Sequence, residues 1–164
     1  MDYERAISAH KKENIVYVDE SGIDEHLHRR RARVEMGRKV FGFSPGGKFC
    51  RTNIVAGYVN GKSIAECAYK GTMDTEFFNA WVEQFLGPSL IPGQVVVMDN
   101  VSFHKHRRST ELVAAAGCSL LYLPPYSPDP NPIEKLWAHL KKMLCYILPI
   151  SPSFFSALQY AFVK

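Results

Sequence analysis

Three acidic residues stand where chemistry could use them. Asp19 closes the run "NIVYVD", Asp99 closes "QVVVMD", and Glu134 sits early in "NPIEKLWAHLKK", with thirty-four residues between it and Asp99. Brought together, two aspartates and a glutamate could be a general acid/base pair, a hard-metal site or three unrelated surface groups. Carboxylates a few ångströms apart repel and drive one pKa up unless a cation neutralises them. Oxygen-only donors favour Mg²⁺ or Mn²⁺, and Mg²⁺ is usually held by a few carboxylates while substrate phosphates and water complete its octahedron. Two such ions about 3.5–4 Å apart activate water on one side of a phosphodiester and stabilise the leaving oxygen on the other.

Each acid also has a plainer reading. An aspartate at a strand end is commonly a turn former or a helix cap, although two of them on separate hydrophobic strands point toward a site. Glu134 follows Asn131 by three residues with Pro132 between them, which matches a capping box at a helix start, where negative charge is also favoured. On a helical wheel Glu134 lies roughly 100° from the centre of the apolar stripe, a border position that faces a strand end as readily as water. The approach to this helix, residues 124–132, carries five prolines in nine positions. Such stiffness suits a ligand that must be held to metal geometry.

The elements that must position these acids follow from periodicity. "NIVYVDE" alternates so that Ile15, Tyr17 and Asp19 share one face of a strand. "KVFGFS", "RTNIVAGYVNG" and "SIAECAYKG", parted by Gly46-Gly47 and Asn60-Gly61, predict an antiparallel meander. "DTEFFNAWVEQFLGPSL" predicts a helix capped at Asp74 or Thr75, apolar at Phe77, Phe78, Trp81, Val82 and Phe85, and stopped by Gly87-Pro88. "QVVVMDN" is a strand buried on both faces, with Asp99 on the side of Val95 and Val97. A helix over "RRSTELVAAAG" closed by Gly117 and a strand over "CSLLYLP" come next. The last predicted helix, 132 to about 148, has Ile133, Leu136, Trp137, Leu140, Leu144 and Ile147 on one stripe. Hairpins followed by alternating helix and strand predict an α/β domain whose mixed sheet is parallel in its second half, with ligands at the carboxyl ends of strands.

Composition bounds the rest. With 164 residues, 46% hydrophobic and 22% charged, the chain fits one domain. The cysteines, Cys50, Cys67, Cys118 and Cys145, lack C-x-x-C spacing, which argues against structural zinc and a disulfide framework and for a reducing setting. There is no apolar run long enough for a membrane span, and the N-terminus is too polar for a secretory signal, so a soluble protein is expected. Net charge is only +4, yet between Arg29 and Arg51 eight Lys/Arg stand against one acid, Glu35. Clustered arginines either keep a loop solvated or grip a polyanion through charge-assisted bonds. We take Arg29, Arg30, Arg31, Arg33 and Lys39, with His104 and Lys105 of "FHKHRR", as candidate DNA contacts. The H-x-H pairs, His26/His28 and His104/His106, lack a third ligand at zinc spacing.

"VYVDESGID", "VVVMDNVSFHK" and "LYLPPYSPDPNPIEKLWAHLKK" together resemble the catalytic domain of DDE transposases of the Tc/mariner superfamily, in its bacterial insertion-sequence branch. The likeness runs from about Asn14 to Leu148, with the motifs in family order and the spacing between Asp99 and Glu134 that branch is known for. It implies a ribonuclease H-like fold with a mixed five-stranded sheet flanked by helices, divided as a lead-in over 1–13, the catalytic domain over 14–148 and a tail or helix over 149–164. It further implies that Asp19, Asp99 and Glu134 bind Mg²⁺ or Mn²⁺, in two ions, to cut DNA at transposon ends and join the freed 3′-hydroxyl to target DNA at a TA dinucleotide. Asn100, Asn131, Pro132 and Trp137 would support the site, as would His104, Pro125, Tyr126, Ser127 and Pro128 at matching family positions. An active homodimer in a bacterial cytoplasm, on the nucleoid, is the implied setting. Family members carry N-terminal helix-turn-helix units, whereas about 14 residues precede the first strand here, which suggests a separate upstream product or a truncated copy. A junction resolvase of the same fold and an inert DNA-binding remnant are the competing readings.

Neutralising Arg29, Arg30 and Arg31 together should weaken binding to every DNA sequence and flatten its salt dependence, by about 0.9 log unit for each phosphate that these arginines would otherwise neutralise. Titrations of labelled duplex across a salt series measure this, and an unchanged slope would leave those arginines merely solvated.

Overall fold

A run of apolar residues without charge has no side to offer water, and Val95–Met98 forms strand β4 with every side chain fully buried. The computed structural model of the chain describes residues 3–24, 36, 51–100, 107–124 and 131–163. β4 runs parallel to β1 (Ile15–Asp24) on one side and β5 (Ser119–Tyr122) on the other. Beyond β1 the sheet continues antiparallel through β2 (Arg51–Val59) and β3 (Lys62–Tyr69). The order β3-β2-β1-β4-β5 is the mixed five-stranded sheet expected, antiparallel first and parallel second in the chain. The further strand expected over "KVFGFS" lies outside the described residues.

Helices cover both faces. On one, Phe78 and Trp81 of α2 (Thr75–Trp81), Val82 and Leu86 of a π-helical segment (Val82–Leu86) and Val113 of α4 (Arg107–Ala115) pack with Val16, Val18, Val55, Val96 and Met98. On the other, α5 (Pro132–Ile147) and α6 (Phe154–Val163) bring Ile133, Trp137, Leu140, Leu144, Ala157 and Leu158 against Ile23, Ile54 and Ala56. Beside them α1 (Tyr3–Ser8) sets Tyr3 and Ile7 next to Ile15, Val95 and Val97. Alternation along β1 therefore sorts its side chains: Val16 and Val18 to the α2 side, Ile15 and Ile23 to the α5 side. Asp19 has the parity of the second set.

The helix after β3 departs from its sequence pattern in two ways. Asp74 caps it as expected, its carboxylate accepting from Phe77 N–H at 2.8 Å. The π-helical turns then take extra residues and rotate the apolar stripe, so Leu86 is buried whereas Phe85 is 45% exposed. Gly87-Pro88 does not stop the helix either. It continues as α3 (Gly87–Ser89), one residue past Pro88, and the chain becomes extended only at Leu90. The end of α4 is as expected, Gly117 taking the left-handed conformation at φ 73°. Cys67, Cys118 and Cys145 are free thiols; Cys50 lies outside the described residues.

Ile133, in the first turn of α5, is fully buried and clamps that turn to the sheet. Ile133→Ala should cost about 2–5 kcal/mol. Urea unfolding should show this as a lower midpoint at unchanged slope.

Candidate active site

Parallel pairing brings two of the acids together. β1 and β4 are in register through Ile15↔Val95, Val16↔Val96 and Tyr17↔Val97. The same offset carried two residues further brings Asp19 level with Asp99, whose charge acts on it, and the Asp19 side chain is directed to the α5 side of the sheet. Burial pushes the Asp19 carboxyl above its usual range; the backbone N–H of Glu20 and the Trp137 indole pull it down, while the charges of Asp99 and Glu20 push it up again. The Oδ1 atom of Asp99 is buried and accepts no hydrogen bond from the described residues. Two adjoining carboxylates, one desolvated and both offering only oxygen, suit a hard divalent cation and suit a soft one poorly.

The third acid arrives on α5. The Trp137 indole N–H donates to Asp19 Oδ2 at 3.0 Å, tying the helix to β1 across 118 residues of sequence. Glu134 precedes Trp137 by three positions and so lies one turn away on the same flank. Asn131 caps the helix, its side chain accepting from Ile133 N–H at 3.3 Å and its carbonyl accepting from Glu134 N–H at 2.9 Å. Pro132 occupies the first turn. Capping thus falls to Asn131, while the exposed Glu134 carboxylate takes no cap hydrogen bond among the described residues.

The structure therefore brings Asp19 and Asp99 together and holds Glu134 on the adjoining helix without closing it onto them. Among the described residues no three Asp, Glu, His or Cys side chains gather closely enough to hold a metal ion. Asn100 follows Asp99 and is exposed. Arg29, Arg30, Arg31, Arg33, Lys39, His104 and Lys105 lie outside the described residues, as do Pro125, Tyr126, Ser127 and Pro128. Trp137, placed by sequence on the apolar stripe, has a second role there as the donor to Asp19. The one signal of that role in the sequence is that a buried indole N–H requires an acceptor.

A family model described as DDE superfamily endonuclease matches residues 14–150. No curated protein matches the chain. Among solved structures it is similar to the Mos1 transposase paired-end complex with left transposon end, at 15% identity and a TM-score of 0.62, covering 98% of this chain and 55% of that one. It is also similar to the Mos1 strand transfer complex, at 16% identity and TM-score 0.63, covering 92% and 51%. The catalytic core domain of BIV integrase aligns at 15% identity and TM-score 0.56, covering 92% and 82%. At such identities the likeness is one of fold, the ribonuclease H-like core of transposases and integrases. The chain spans about half the length of the transposase chains it matches.

The Asp19–Trp137 bond gives a pH-dependent prediction. Because Asp19 is raised in the fold, its ionisation costs stability as pH rises through the folded value, and the indole N–H offsets part of that cost by favouring the charged form. Trp137→Phe in EDTA should therefore lose about 1.5–3 kcal/mol at pH 7. The loss should shrink at a pH well below the ordinary carboxyl value of 3.8, where Asp19 is protonated in both states. Chemical denaturation at the two pH values measures the difference.

Proposed function

The chain belongs to the DDE superfamily endonuclease family, and from that premise we propose that it is the catalytic part of a transposase. It would cut phosphodiester bonds at transposon ends and join the freed 3′-hydroxyl to target DNA. The observation that carries the reading is the juxtaposition of Asp19, mid-strand in β1 just past its parallel pairing with β4, and Asp99, just past the carboxyl end of β4, beneath a helix bearing Glu134 and anchored on Asp19 itself. In an open α/β sheet that is where a ligand binds.

Asp19, Asp99 and Glu134 would hold Mg²⁺ or Mn²⁺, in two ions. When bound, such ions supply Lewis-acid activation of water and stabilisation of the leaving oxygen. The chain's own contribution is positioning. Trp137 fixes which oxygen of Asp19 stays available, because Oδ2 is engaged by the indole. Asn131 and Pro132 set the start of α5 and so the direction from which Glu134 approaches. With its turn clamped through Ile133, the exposed Glu134 side chain, not tied down by a cap, would reach toward the pair to complete the triad. Asn100 would flank the substrate, and Arg29, Arg30, Arg31, Arg33, Lys39, His104 and Lys105 would hold its backbone.

The finer reading places the chain in the bacterial insertion-sequence branch. It would act on TA target sites as a homodimer at the nucleoid, with end recognition supplied by helix-turn-helix units. Among the described residues no helix is long and apolar enough to cross a membrane.

Incubation with Mn²⁺ or Mg²⁺ and duplexes carrying pre-cut transposon ends should yield joined products. Asp99→Asn should lower both nicking and joining at least about a hundredfold, as loss of several kcal/mol of metal stabilisation requires, while DNA binding persists. Hydrolysis without joining would favour a resolvase. Nicking that survives both Asp19→Asn and Asp99→Asn would sink the assignment.

A further inference from the structure

Three residues beyond Asp19, β1 offers its opposite side to a different group. The antiparallel ladder between β1 and β2 runs on to the end of β1, setting Asn53 across from Gly22 and Arg51 across from Asp24. The Arg51 guanidinium lies flat against the backbone of Gly22. A Cβ at position 22 would run directly into its Nε, Cζ and Nη2 atoms. Any residue larger than glycine would expel the guanidinium from that seat. The side chain is exposed, and no carboxylate among the described residues pairs with it.

In front of Arg51 opens a cavity of about 320 Å³, with Asn53, Tyr69, Thr72 and Glu20 on its walls. The Asn53 amide is already committed, donating to Gly71 O. Burial, and after it the charges of Glu20 and Cys67, push the Tyr69 phenol up to about 12, so it is a neutral hydroxyl at working pH. Glu20 repels an anion seated deep in the cavity, which leaves the guanidinium at the rim as the group an anion would meet. A planar guanidinium matches phosphate with two parallel bonds, and one already held against the backbone loses little freedom in forming them. Gly22 lies three residues along β1 from Asp19, about 10 Å at roughly 3.4 Å per residue, and faces the other side of the sheet, so Arg51 stands well away from the carboxylate pair.

We infer that Arg51, seated on Gly22, binds a backbone phosphate of the DNA on which the chain acts, away from the bond to be cut. This rests on the nuclease reading above, and binding is measured apart from cleavage so that the two fail separately. The full-length chain in EDTA is titrated against labelled duplex from 50 to 200 mM salt, as the unmodified protein, Arg51→Ala, Arg51→Lys, Gly22→Ala and the Gly22→Ala/Arg51→Ala double variant. Arg51→Ala should weaken binding and flatten the salt slope by about 0.9. Arg51→Lys, which keeps the charge without the fork, should keep the slope and bind less tightly. Gly22→Ala should lose affinity although Arg51 is present, and the double variant should be no weaker than Arg51→Ala alone. If Gly22→Ala fails to fold by thermal melting, the two Arg51 variants decide. An unchanged slope in Arg51→Ala overturns the inference even where Mn²⁺-dependent nicking by the unmodified chain stands. A flattened slope supports the phosphate contact even where no nicking is found, in which case only the catalytic reading falls.

Discussion

The hydrogen bond from the Trp137 indole to Asp19 is the constraint on which the arrangement of the site depends. Each partner needs the other: a buried indole N–H requires an acceptor, and a desolvated carboxylate requires a donor. The bond fixes the rotation of α5 about its axis, because Trp137 can reach β1 in only one orientation of that helix. Glu134 and Asn131 follow from that rotation as rigid consequences of helical geometry. The apolar contacts of Ile133, Leu140 and Leu144 supply the packing that holds the helix down, while the polar contact decides where it points.

Strand parity is the second constraint. Side chains on β1 alternate between two separate cores, so a slip of one residue would carry Asp19 away from α5 and into the layer of Phe78 and Trp81. The same alternation lets one strand serve two purposes. Asp19 looks toward α5 and Asp99, while Gly22, of opposite parity, gives Arg51 its seat on the other side. Anionic and cationic groups are thereby kept apart by the thickness of the sheet, and Arg51 does not neutralise the carboxylate pair.

Holding Asp19 next to Asp99 carries a cost that the fold does not remove. Burial and the neighbouring charge both raise the Asp19 carboxyl, and the two hydrogen bonds it accepts offset only part of the rise. Such electrostatic strain is the condition a divalent cation would relieve. With two acids adjoining and Glu134 exposed on the next helix, the third carboxylate stands apart from the pair it would join.

Much of this was determined by the sequence by itself. The alternation in "NIVYVD" sets the face on which Asp19 lies and the unbroken apolar run in "QVVVMD" ends at Asp99, although β1 runs on past the expected end at Asp19 to Asp24, and Asn131-Pro132 starts the late helix where it does, because these patterns act over a few residues and need no distant partner. Only the tertiary structure decided what depends on distant surfaces meeting. Phe85 turns outward because π-helical turns rotate the stripe that regular periodicity would bury. Glu134 was open to either role, capping-box partner or ligand, and in the fold its carboxylate is exposed while Asn131 supplies the cap. The second role of Trp137 and the seat of Arg51 on Gly22 were not legible, since an indole N–H and a missing Cβ acquire meaning only when a chain segment far away in sequence is laid against them.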